Sequence, residues 1–453
     1  MSKEIRLNAF TINSPGHLSA GLWRHPEDQS HRYTDLRYWV ELASTLERGL
    51  FDGVFIADVL GVYDVYGRSP DAALLNAAQV PINDPLQLVS AMAAATRHLG
   101  FGVTASVSFE HPYPFARRMS TADHLSGGRI GWNIVTSYLE SGARNLGQAA
   151  QLTHNNRYEL ADEYLEVCYK LWEGSWERGA VKRDAERSMY VDPRQVHEIG
   201  HEGKFFTVPG FHLSEPSPQR TPVLFQAGAS ARGKQFAARH GECIFVAAPT
   251  RAILRSQVAS LRAETVRQGR RADDILVFNQ ITVVLAPTDG EARAKFDDYR
   301  RHISRDGSLT LMSGWTGIDL SGFDPEQTLE HVESNAIQSA VEAFTTADPG
   351  RTWTVNEIAD YCGIGGDGPV IVGSPATVAD ALQAWIEETD ADGFNIAAVV
   401  NPGSFTDITD LLVPELQRRG VYKRAYREGT LREKLFGREA GLAESHYGSR
   451  FRI

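Results

Sequence analysis

The sequence has few cysteines, no long hydrophobic run and no excess of basic residues. Its three cysteines, Cys168, Cys243 and Cys362, are far apart and odd in number, which argues against a disulfide framework and a cysteine metal cluster. The chain has no apolar run of about 18 residues, the length of a membrane span, and its first ten residues contain no signal-peptide core. We therefore expect a cytoplasmic protein that is not embedded in a membrane.

The balance of charges limits the choice of partners. The chain has 46 Lys and Arg residues against 57 Asp and Glu residues, which gives a formal net charge of −11. The basic residues form no stripe, so neither nucleic acid nor an anionic membrane surface is an expected partner. A small-molecule substrate is expected instead.

Strand-like and helix-like segments alternate along the chain. The strand-like segments are almost continuously apolar, as parallel strands are when helices cover both faces of a sheet. Eight such units predict an α/β fold, a single (β/α)8 TIM barrel. The predicted strands span residues 5–10, 51–58, 101–108, 129–137, 222–228, 243–248, 275–286 and 393–400.

Three segments do not fit this repeat. Residues 175–221 and 307–370 are longer than a strand-to-helix connection requires, so we interpret both as insertions. We expect the first insertion to contain a hairpin and the second to form a lid. Residues 422–453 are a charged C-terminal extension, which we expect to pack on the barrel surface or on a neighbouring subunit.

Two short motifs match known signatures in the wrong structural context. The segment "HEIGH" (197–201) matches H-E-x-x-H, which needs a helix to bring both histidines to one zinc ion. Gly200 and the β-rich flanks favour a polar hairpin, so no metal is expected. The segment "GIGGDG" (363–368) matches G-x-G-x-x-G, but it follows a helix-like segment and precedes a strand, the reverse of a dinucleotide site. We interpret it as a turn.

Polar residues cluster at the predicted carboxyl ends of the strands, the face that carries the active site in this fold. The segment "QAGASARG" (226–233) combines small residues with a helix start, which favours phosphate binding by backbone N–H groups. A serine-capped turn explains that segment equally well, as helix capping does for Asp58 or Thr136. The chain has no nucleophile elbow, P-loop or carboxylate–metal run, which is typical of an enzyme whose chemistry comes from a cofactor.

Several longer segments resemble the bacterial-luciferase-like flavin monooxygenases. They include "SPGHLSAGLWRHP" (14–26), "HPYPFARRMSTADHLSGGRIGWNIVTS" (111–137), "HNNRYELADEYLEVCYKLWEGSW" (154–176) and "LFQAGASARGKQFAA" (224–238). The resemblance covers nearly the whole chain. It is closest to the nitrilotriacetate and dibenzothiophene-sulfone monooxygenase group, in particular to members that act on dimethyl sulfide or succinylcysteine-type compounds.

This resemblance implies a cofactor, a reaction and an assembly. The implied enzyme binds reduced FMN (FMNH2) and uses O2 through a flavin C4a-hydroperoxide. NAD(P)H acts only indirectly, through a separate NAD(P)H:FMN reductase that supplies the reduced flavin. The implied reaction oxygenates a small organosulfur compound with cleavage of a C–S bond, and the implied assembly is a homodimer or homotetramer.

The resemblance also implies the site residues. It places three catalytic residues at the oxygen and substrate pocket, with His17 directing a proton, and one further residue, Trp23, in the wall of that pocket. The implied catalytic residues are His17, Tyr63 and Tyr138. The implied FMN-binding residues are Asp58, Thr104, Asn133, Ser137, His154, Tyr158, Gly228, Ala229 and Ser230.

Other functions remain compatible with the sequence. A relative that cleaves C–N bonds in aminopolycarboxylates has the same fold and cofactor. A flavin- or deazaflavin-dependent dehydrogenase on the same barrel transfers hydride and consumes no O2. A third alternative is a non-catalytic flavin-binding protein, which is recognised by tight retention of oxidised FMN. A fourth is a zinc hydrolase with its metal at residues 197–201, which is recognised by metal analysis.

Overall fold

The computed structural model describes residues 3–228, 230–328, 337 and 352–453. The strands are β1 (Arg6–Ile12), β2 (Gly53–Ala57), β3 (Gly100–Ser106), β4 (Ile130–Val135), β5 (Val181–Asp184), β6 (Met189–Val191), β7 (His201–Glu202), β8 (Thr207–Val208), β9 (Val223–Ala227), β10 (Cys243–Val246), β11 (Leu276–Leu285), β12 (Val370–Gly373) and β13 (Gly393–Ala397). The α-helices span Leu36–Arg48, Asp71–Asn76, Leu86–Ala94, Pro112–Ser126, Glu140–Asn145, His154–Gly174, Ala231–His240, Arg251–Arg267, Asp289–Arg300, Arg305–Thr316, Val355–Cys362, Pro375–Thr389, Gly403–Asp407, Val413–Arg418 and Leu431–Phe436.

Eight strands close into a parallel barrel. Their order is β1, β2, β3, β4, β9, β10, β11 and β13, and β13 pairs again with β1 to complete the ring. The register places Asn8 opposite Asn395 and Thr104 opposite Asn133. β12 pairs with the last residues of β11 and lies outside the closed ring. The predicted (β/α)8 barrel is confirmed, and each predicted strand overlaps one strand of the ring.

Helices pack against the outside of the barrel through apolar side chains. Leu42 and Leu46 of helix Leu36–Arg48 and Phe115 of helix Pro112–Ser126 are buried in one cluster with Ile56 of β2 and Ile134 of β4. Removing such side chains from water is the main stabilising contribution in folds of this kind. None of the helices in the described ranges is long and apolar enough to cross a membrane.

A layer of phenylalanines fills the interior of the barrel. The rings of Phe55 and Phe245 lie 4.4 Å apart between centroids, and Phe225 stacks on Phe245 at 5.3 Å. Gly131 of β4 makes room for this layer, because a Cβ atom there would lie 2.1 Å from the Phe225 ring. The layer therefore closes the barrel from within and leaves its carboxyl end open for a site.

The C-terminal extension seals the amino end of the barrel. Leu431 and Leu435 of helix Leu431–Phe436 belong to the same buried cluster as the phenylalanine layer. Between them, the guanidinium of Arg432 forms two bonds to the Glu242 carboxylate, at 2.8 and 2.9 Å. Both partners are buried. The extension thus packs on its own barrel, one of the two placements that its composition left open.

The first insertion, residues 175–221, contains two small antiparallel ladders, β5–β6 and β7–β8. The H-E-x-x-H residues do not lie on a helix: His197 follows a 3-10 turn and His201 begins β7. His197 Nε2 contacts Glu177 at 2.8 Å, whereas His201 Nε2 contacts Glu163 at 3.4 Å. The two histidines therefore have separate carboxylate partners. Much of the second insertion, 307–370, lies outside the described residues, so its role as a lid stays a prediction.

Candidate active site

A cavity of about 340 Å³ opens at the carboxyl ends of the barrel strands. Every strand of the closed ring contributes at least one side chain to its wall. Most of the site residues implied by the sequence lie around it, although their roles stay predictions: His17, Asp58, Tyr63, Thr104, Asn133, Ser137, Tyr138, His154, Tyr158, Gly228 and Ser230.

One of the expected residues is not found there. Trp23 is not among the cavity-lining residues and is 42% exposed. It lies in the 3-10 helix Leu22–Arg24, where Leu22 takes the buried position and Arg24 Nη2 donates to the carbonyl of His302 at 2.6 Å. The expected place of Trp23 in the substrate pocket stays a prediction, which the described lining of the cavity does not support. Ala229 lies outside the described residues.

One end of the cavity is built to receive an anion. Ser230 begins helix Ala231–His240, and its Oγ accepts the N–H of Gly233 at 3.0 Å and lies 3.4 Å from His154 Nε2. A Cβ on Gly228 would lie 2.5 Å from Gln226 Nε2, so glycine permits the tight turn before the helix. A helix N terminus with free N–H groups and a positive dipole end stabilises a phosphate. We call this region the anion end.

Two guanidinium groups add positive charge at the anion end. Arg157 is buried next to Tyr158, and the Arg232 guanidinium, paired with Asp162, lies 5.3 Å from the centroid of the Tyr158 ring. Burial lowers the pKa of His154, and the charges of Arg157 and Arg232 lower it further. His154 therefore offers a neutral ring to an anion whose charge the two arginines balance.

The middle of the cavity wall has unsatisfied hydrogen-bond acceptors. Asn133 Nδ2 donates to Thr104 Oγ1 at 2.9 Å. Asn133 Oδ1 and Gln226 Oε1 are buried and accept no hydrogen bond from any residue that the structure describes. Leaving a buried acceptor unpaired costs about 1–3 kcal/mol, so these oxygens indicate a ligand that presents N–H or O–H donors here.

Two polar residues at strand ends have unusual environments. Ser137, just after β4, has φ 55°, which is costly for a non-glycine residue, and its Oγ lies 2.7 Å from Ser106 Oγ. Burial raises the pKa of Asp58 to about 6, and the charge of Asp84 contributes. Strained backbone and a shifted carboxyl pKa are both more frequent at functional sites than elsewhere.

Another part of the cavity wall is aromatic, and we call it the aromatic end. The Tyr63 hydroxyl donates to Gln79 Oε1 at 3.0 Å, lies 2.6 Å from the Tyr138 hydroxyl, and accepts Trp315 Nε1–H at 3.2 Å. Burial raises the pKa of Tyr63 to about 12 and that of Tyr138 well above its usual value. Both phenols are therefore protonated at neutral pH.

His17 lies in the same wall, edge-on to the Phe10 ring at 4.5 Å between centroids. Burial lowers the pKa of His17 to about 3. The ring is therefore neutral at physiological pH, and it can exchange hydrogen bonds without carrying a positive charge. A proton-directing role for His17 is restricted to this neutral form.

The sequence analysis missed several wall residues, among them Gln79, Trp315, Gln226 and Asp367. Gln79 and Trp315 complete the tyrosine network, and Asp367 lies in the "GIGGDG" turn. Gln79 lies in a connecting segment and Trp315 in the helix Arg305–Thr316 of the second insertion, so no strand register places either of them. The clustered glycines around Asp367 were the available signal, since such turns allow close approach of backbone to a site.

One group of candidate metal ligands lies outside the cavity in the described part of the chain. Ligand atoms of His25, Asp298 and His302 lie within 4.8 Å of one another. His25 Nδ1 accepts the N–H of Glu27 at 3.2 Å, so its proton is on Nε2, which donates to Asp298 Oδ2 at 3.1 Å. The nitrogen that faces the group is therefore protonated, and the contacts fit a hydrogen-bonded pair rather than a metal site.

The cavity residues fit FMN. The anion end matches a phosphate, the unpaired oxygens of Asn133 and Gln226 match the N–H donors of a flavin ring, and Phe55 and Phe245 provide an apolar floor. The aromatic end leaves a separate space beyond these groups. The arrangement is that of a cofactor site with an adjoining pocket for a small molecule.

Comparison with known proteins agrees with this geometry. Residues 18–393 match the family described as luciferase-like monooxygenase. The chain is 49% identical over 453 residues to dimethyl-sulfide monooxygenase of Hyphomicrobium sulfonivorans, covering 100% of this chain and 94% of the relative. It is also 49% identical over 453 residues to long-chain alkane monooxygenase of Geobacillus thermodenitrificans, covering 100% and 99%.

Solved structures show the same similarity. The crystal structure of the Hyphomicrobium sulfonivorans protein superposes with a TM-score of 0.93 at 48% identity, covering 99% of this chain and 96% of that chain. A riboflavin lyase structure with modified FMN and riboflavin superposes with a TM-score of 0.94 at 39% identity and covers 100% of both chains. This chain therefore belongs to the luciferase-like monooxygenases, a flavin-dependent family of enzymes.

Proposed function

We propose that this protein is the oxygenase component of a two-component FMNH2-dependent monooxygenase that acts on a small organosulfur compound and cleaves a C–S bond. A separate NAD(P)H:FMN reductase supplies the reduced FMN, and O2 is the co-substrate. The similarity to a dimethyl-sulfide monooxygenase over the whole chain supports this proposal. A further relative, 35% identical over 423 residues, is named component A of nitrilotriacetate monooxygenase, which supports a two-component system.

The observation that carries the proposal is the division of one cavity into an anion end and an aromatic end. Bound reduced FMN supplies the electrons that activate O2. The protein holds the phosphate at Ser230 and its helix, satisfies the flavin ring through Asn133 and Gln226, and surrounds the reacting space with apolar side chains. Excluding water from that space prevents unproductive loss of activated oxygen.

The hydrogen bonds between Tyr63, Tyr138 and Gln79 determine which hydroxyl group can donate or accept a proton in the reacting space. Because the Tyr63 proton is used on Gln79 Oε1, the 2.6 Å contact makes Tyr138 the donor to Tyr63. The lone pairs of the Tyr138 oxygen remain available on the cavity side. Tyr138 therefore orients a donor group in the pocket, and proton release from it requires that its bond to Tyr63 breaks.

A methyl thioether is the proposed substrate class, by analogy with the relative named dimethyl-sulfide monooxygenase. For a methyl thioether the balanced reaction is R–S–CH3 + O2 + FMNH2 → R–SH + HCHO + H2O + FMN. A new C–O bond forms at the methyl carbon, and the C–S bond breaks with its electron pair on sulfur.

The test is rapid mixing of the anaerobic protein–FMNH2 complex with oxygenated buffer, followed by absorbance. We expect the oxidised-flavin absorbance to return more slowly than in free FMNH2, the matched control. Dimethyl sulfide together with a flavin reductase and NADH is expected to give methanethiol and formaldehyde in equal amounts. Reoxidation at the free-flavin rate together with no thiol product would reject the proposal.

The alternatives give different results in the same assays. Formation of an amine and an aldehyde from an aminopolycarboxylate, with no reaction of thioethers, would identify C–N cleavage. Substrate oxidation without O2 consumption would identify a dehydrogenase.

A further inference from the structure

Asp367 is held in the cavity wall by a rigid glycine turn. Gly365 and Gly366 have φ of +81° and +68°, which disfavours any side chain there. The N–H of Gly365 donates to Ser19 Oγ at 3.1 Å, and its carbonyl accepts Gln280 Nε2 at 2.7 Å. Asp367 follows directly, so the turn fixes where its carboxyl group enters the cavity.

The turn packs at the aromatic end of the cavity. A Cβ on Gly366 would lie 3.3 Å from the Trp315 ring, and a Cβ on Gly365 would lie 2.2 Å from Thr282 Oγ1. Trp315 in turn donates to the hydroxyl of Tyr63. The carboxyl of Asp367 therefore belongs to the space left for substrate and not to the anion end.

Asp367 has no cationic partner among the described residues. Its hydrogen bonds come from Gln280 and from its own backbone N–H. Of the basic residues in the cavity wall, Arg157 and His154 lie at the anion end, and His17 at the aromatic end is neutral because burial lowers its pKa to about 3. Burial raises the pKa of Asp367 to about 6, so the group is ionised in mildly alkaline solution. A poorly solvated carboxylate without a cationic partner destabilises a fold, which favours a functional explanation for its presence.

We propose that Asp367 forms a charge-selective subsite that receives a cationic or hydrogen-bond-donating group of the substrate and disfavours carboxylate-bearing substrates. The proposal rests on the proposed function, because that function defines the thioether part of the substrate. The expected substrates are methyl thioethers that carry an amine or hydroxyl group at the end of the molecule away from the sulfur atom. The preference follows from Coulomb interaction in a poorly solvated cavity, where one charge contact is stronger than in water.

Three probes that differ only in the polar end group test the subsite: 3-(methylthio)propylamine, 3-(methylthio)propan-1-ol and 3-(methylthio)propanoate. Binding to the FMN-saturated protein at pH 8 is measured by calorimetry, without turnover. We expect the amine to bind at least tenfold more tightly than the propanoate, with the alcohol between them. Asp367→Asn is expected to reduce this amine-to-propanoate ratio at least fivefold, whereas Asp367→Glu retains a preference for the amine.

Asp360→Asn is the matched control, because Asp360 is an exposed carboxyl near the same turn. It is expected to leave the ratio unchanged. An equal ratio in the wild type and Asp367→Asn, with both proteins folded by circular dichroism, would overturn the subsite. If the ratio responds as expected but no thioether is oxygenated, the proposed function fails and the subsite stands. If thioethers are oxygenated without charge discrimination, the subsite fails and the proposed function stands.

Discussion

The hydroxyl oxygens of Tyr63 and Tyr138 lie 2.6 Å apart at the aromatic end of the cavity. Tyr63 is the centre of this network, because it also contacts Gln79 and Trp315, whereas Tyr138 is its peripheral member. Removing the Tyr63 hydroxyl is therefore expected to reduce the free energy of unfolding more than removing the Tyr138 hydroxyl. This difference separates the structural role of the pair from its role in the reaction.

Tyr63→Phe is expected to destabilise the protein more than Tyr138→Phe. The first change leaves Trp315 Nε1 and Gln79 Oε1 without their partner, at about 1–3 kcal/mol for each buried group. The second removes the bond to Tyr63 and a further interaction with Trp315, but Trp315 Nε1 keeps its bond to Tyr63, so a loss of about 1 kcal/mol is expected. Urea unfolding of the two variants measures the order. If Tyr138→Phe is the less stable variant, the assignment of donors in the network is wrong.

Gly228→Ala is expected to weaken FMN binding at least tenfold with little loss of stability. The added Cβ lies 2.5 Å from Gln226 Nε2 and 3.2 Å from the Tyr158 hydroxyl, so Gln226 must move away from the proposed flavin position. Fluorescence titration with FMN measures the affinity. Gly210→Ala is the control, because no atom lies within 4 Å of its added Cβ. Equal FMN affinity of the two variants would place the cofactor elsewhere.

Asp58→Asn is expected to raise the melting temperature at pH 8 and to change it little at pH 4. The folded-state pKa of Asp58, about 6, lies above its usual value of 3.8, so stability is lost as the pH rises through 6. The amide removes that loss because it carries no charge. Asp360→Asn serves as the exposed control. A gain that is the same at both pH values would contradict the burial of an ionised carboxylate.

Arg432→Met is expected to destabilise the fold by about 3–5 kcal/mol, because it leaves the buried carboxylate of Glu242 without its partner. Combining it with Glu242→Gln is expected to restore part of the loss. Thermal and denaturant unfolding measure both variants. A double variant that is less stable than Arg432→Met alone would show that the charge of Glu242 is compensated by other groups.

The sequence predicts the barrel well because its strands have a strong and local signal. Residues 51–58 are apolar and end in Asp58, and the observed β2 spans Gly53–Ala57. Parallel strands place their carboxyl ends at one face, so Thr104, Asn133 and Gly228 could be brought together without knowing any loop.

The rest of the site depends on connecting segments, whose conformation has no periodic signal. Tryptophan is a residue type that often lines pockets, but Trp23 lies in a 3-10 turn, is 42% exposed and is not among the cavity-lining residues. Trp315 and Asp367 come from the second insertion, and only their three-dimensional packing brings them beside Tyr63 and Tyr138. Residues in insertions and loops are placed by tertiary contacts, which the local sequence does not encode.

The helix Leu431–Phe436 covers the phenylalanine layer at the amino end of the barrel. Without this helix, the layer around Phe55 and Phe245 faces water at that end. Removing this helix is expected to expose an aromatic surface that favours aggregation and proteolysis. The barrel therefore depends on it to keep its aromatic interior out of contact with solvent and with other proteins.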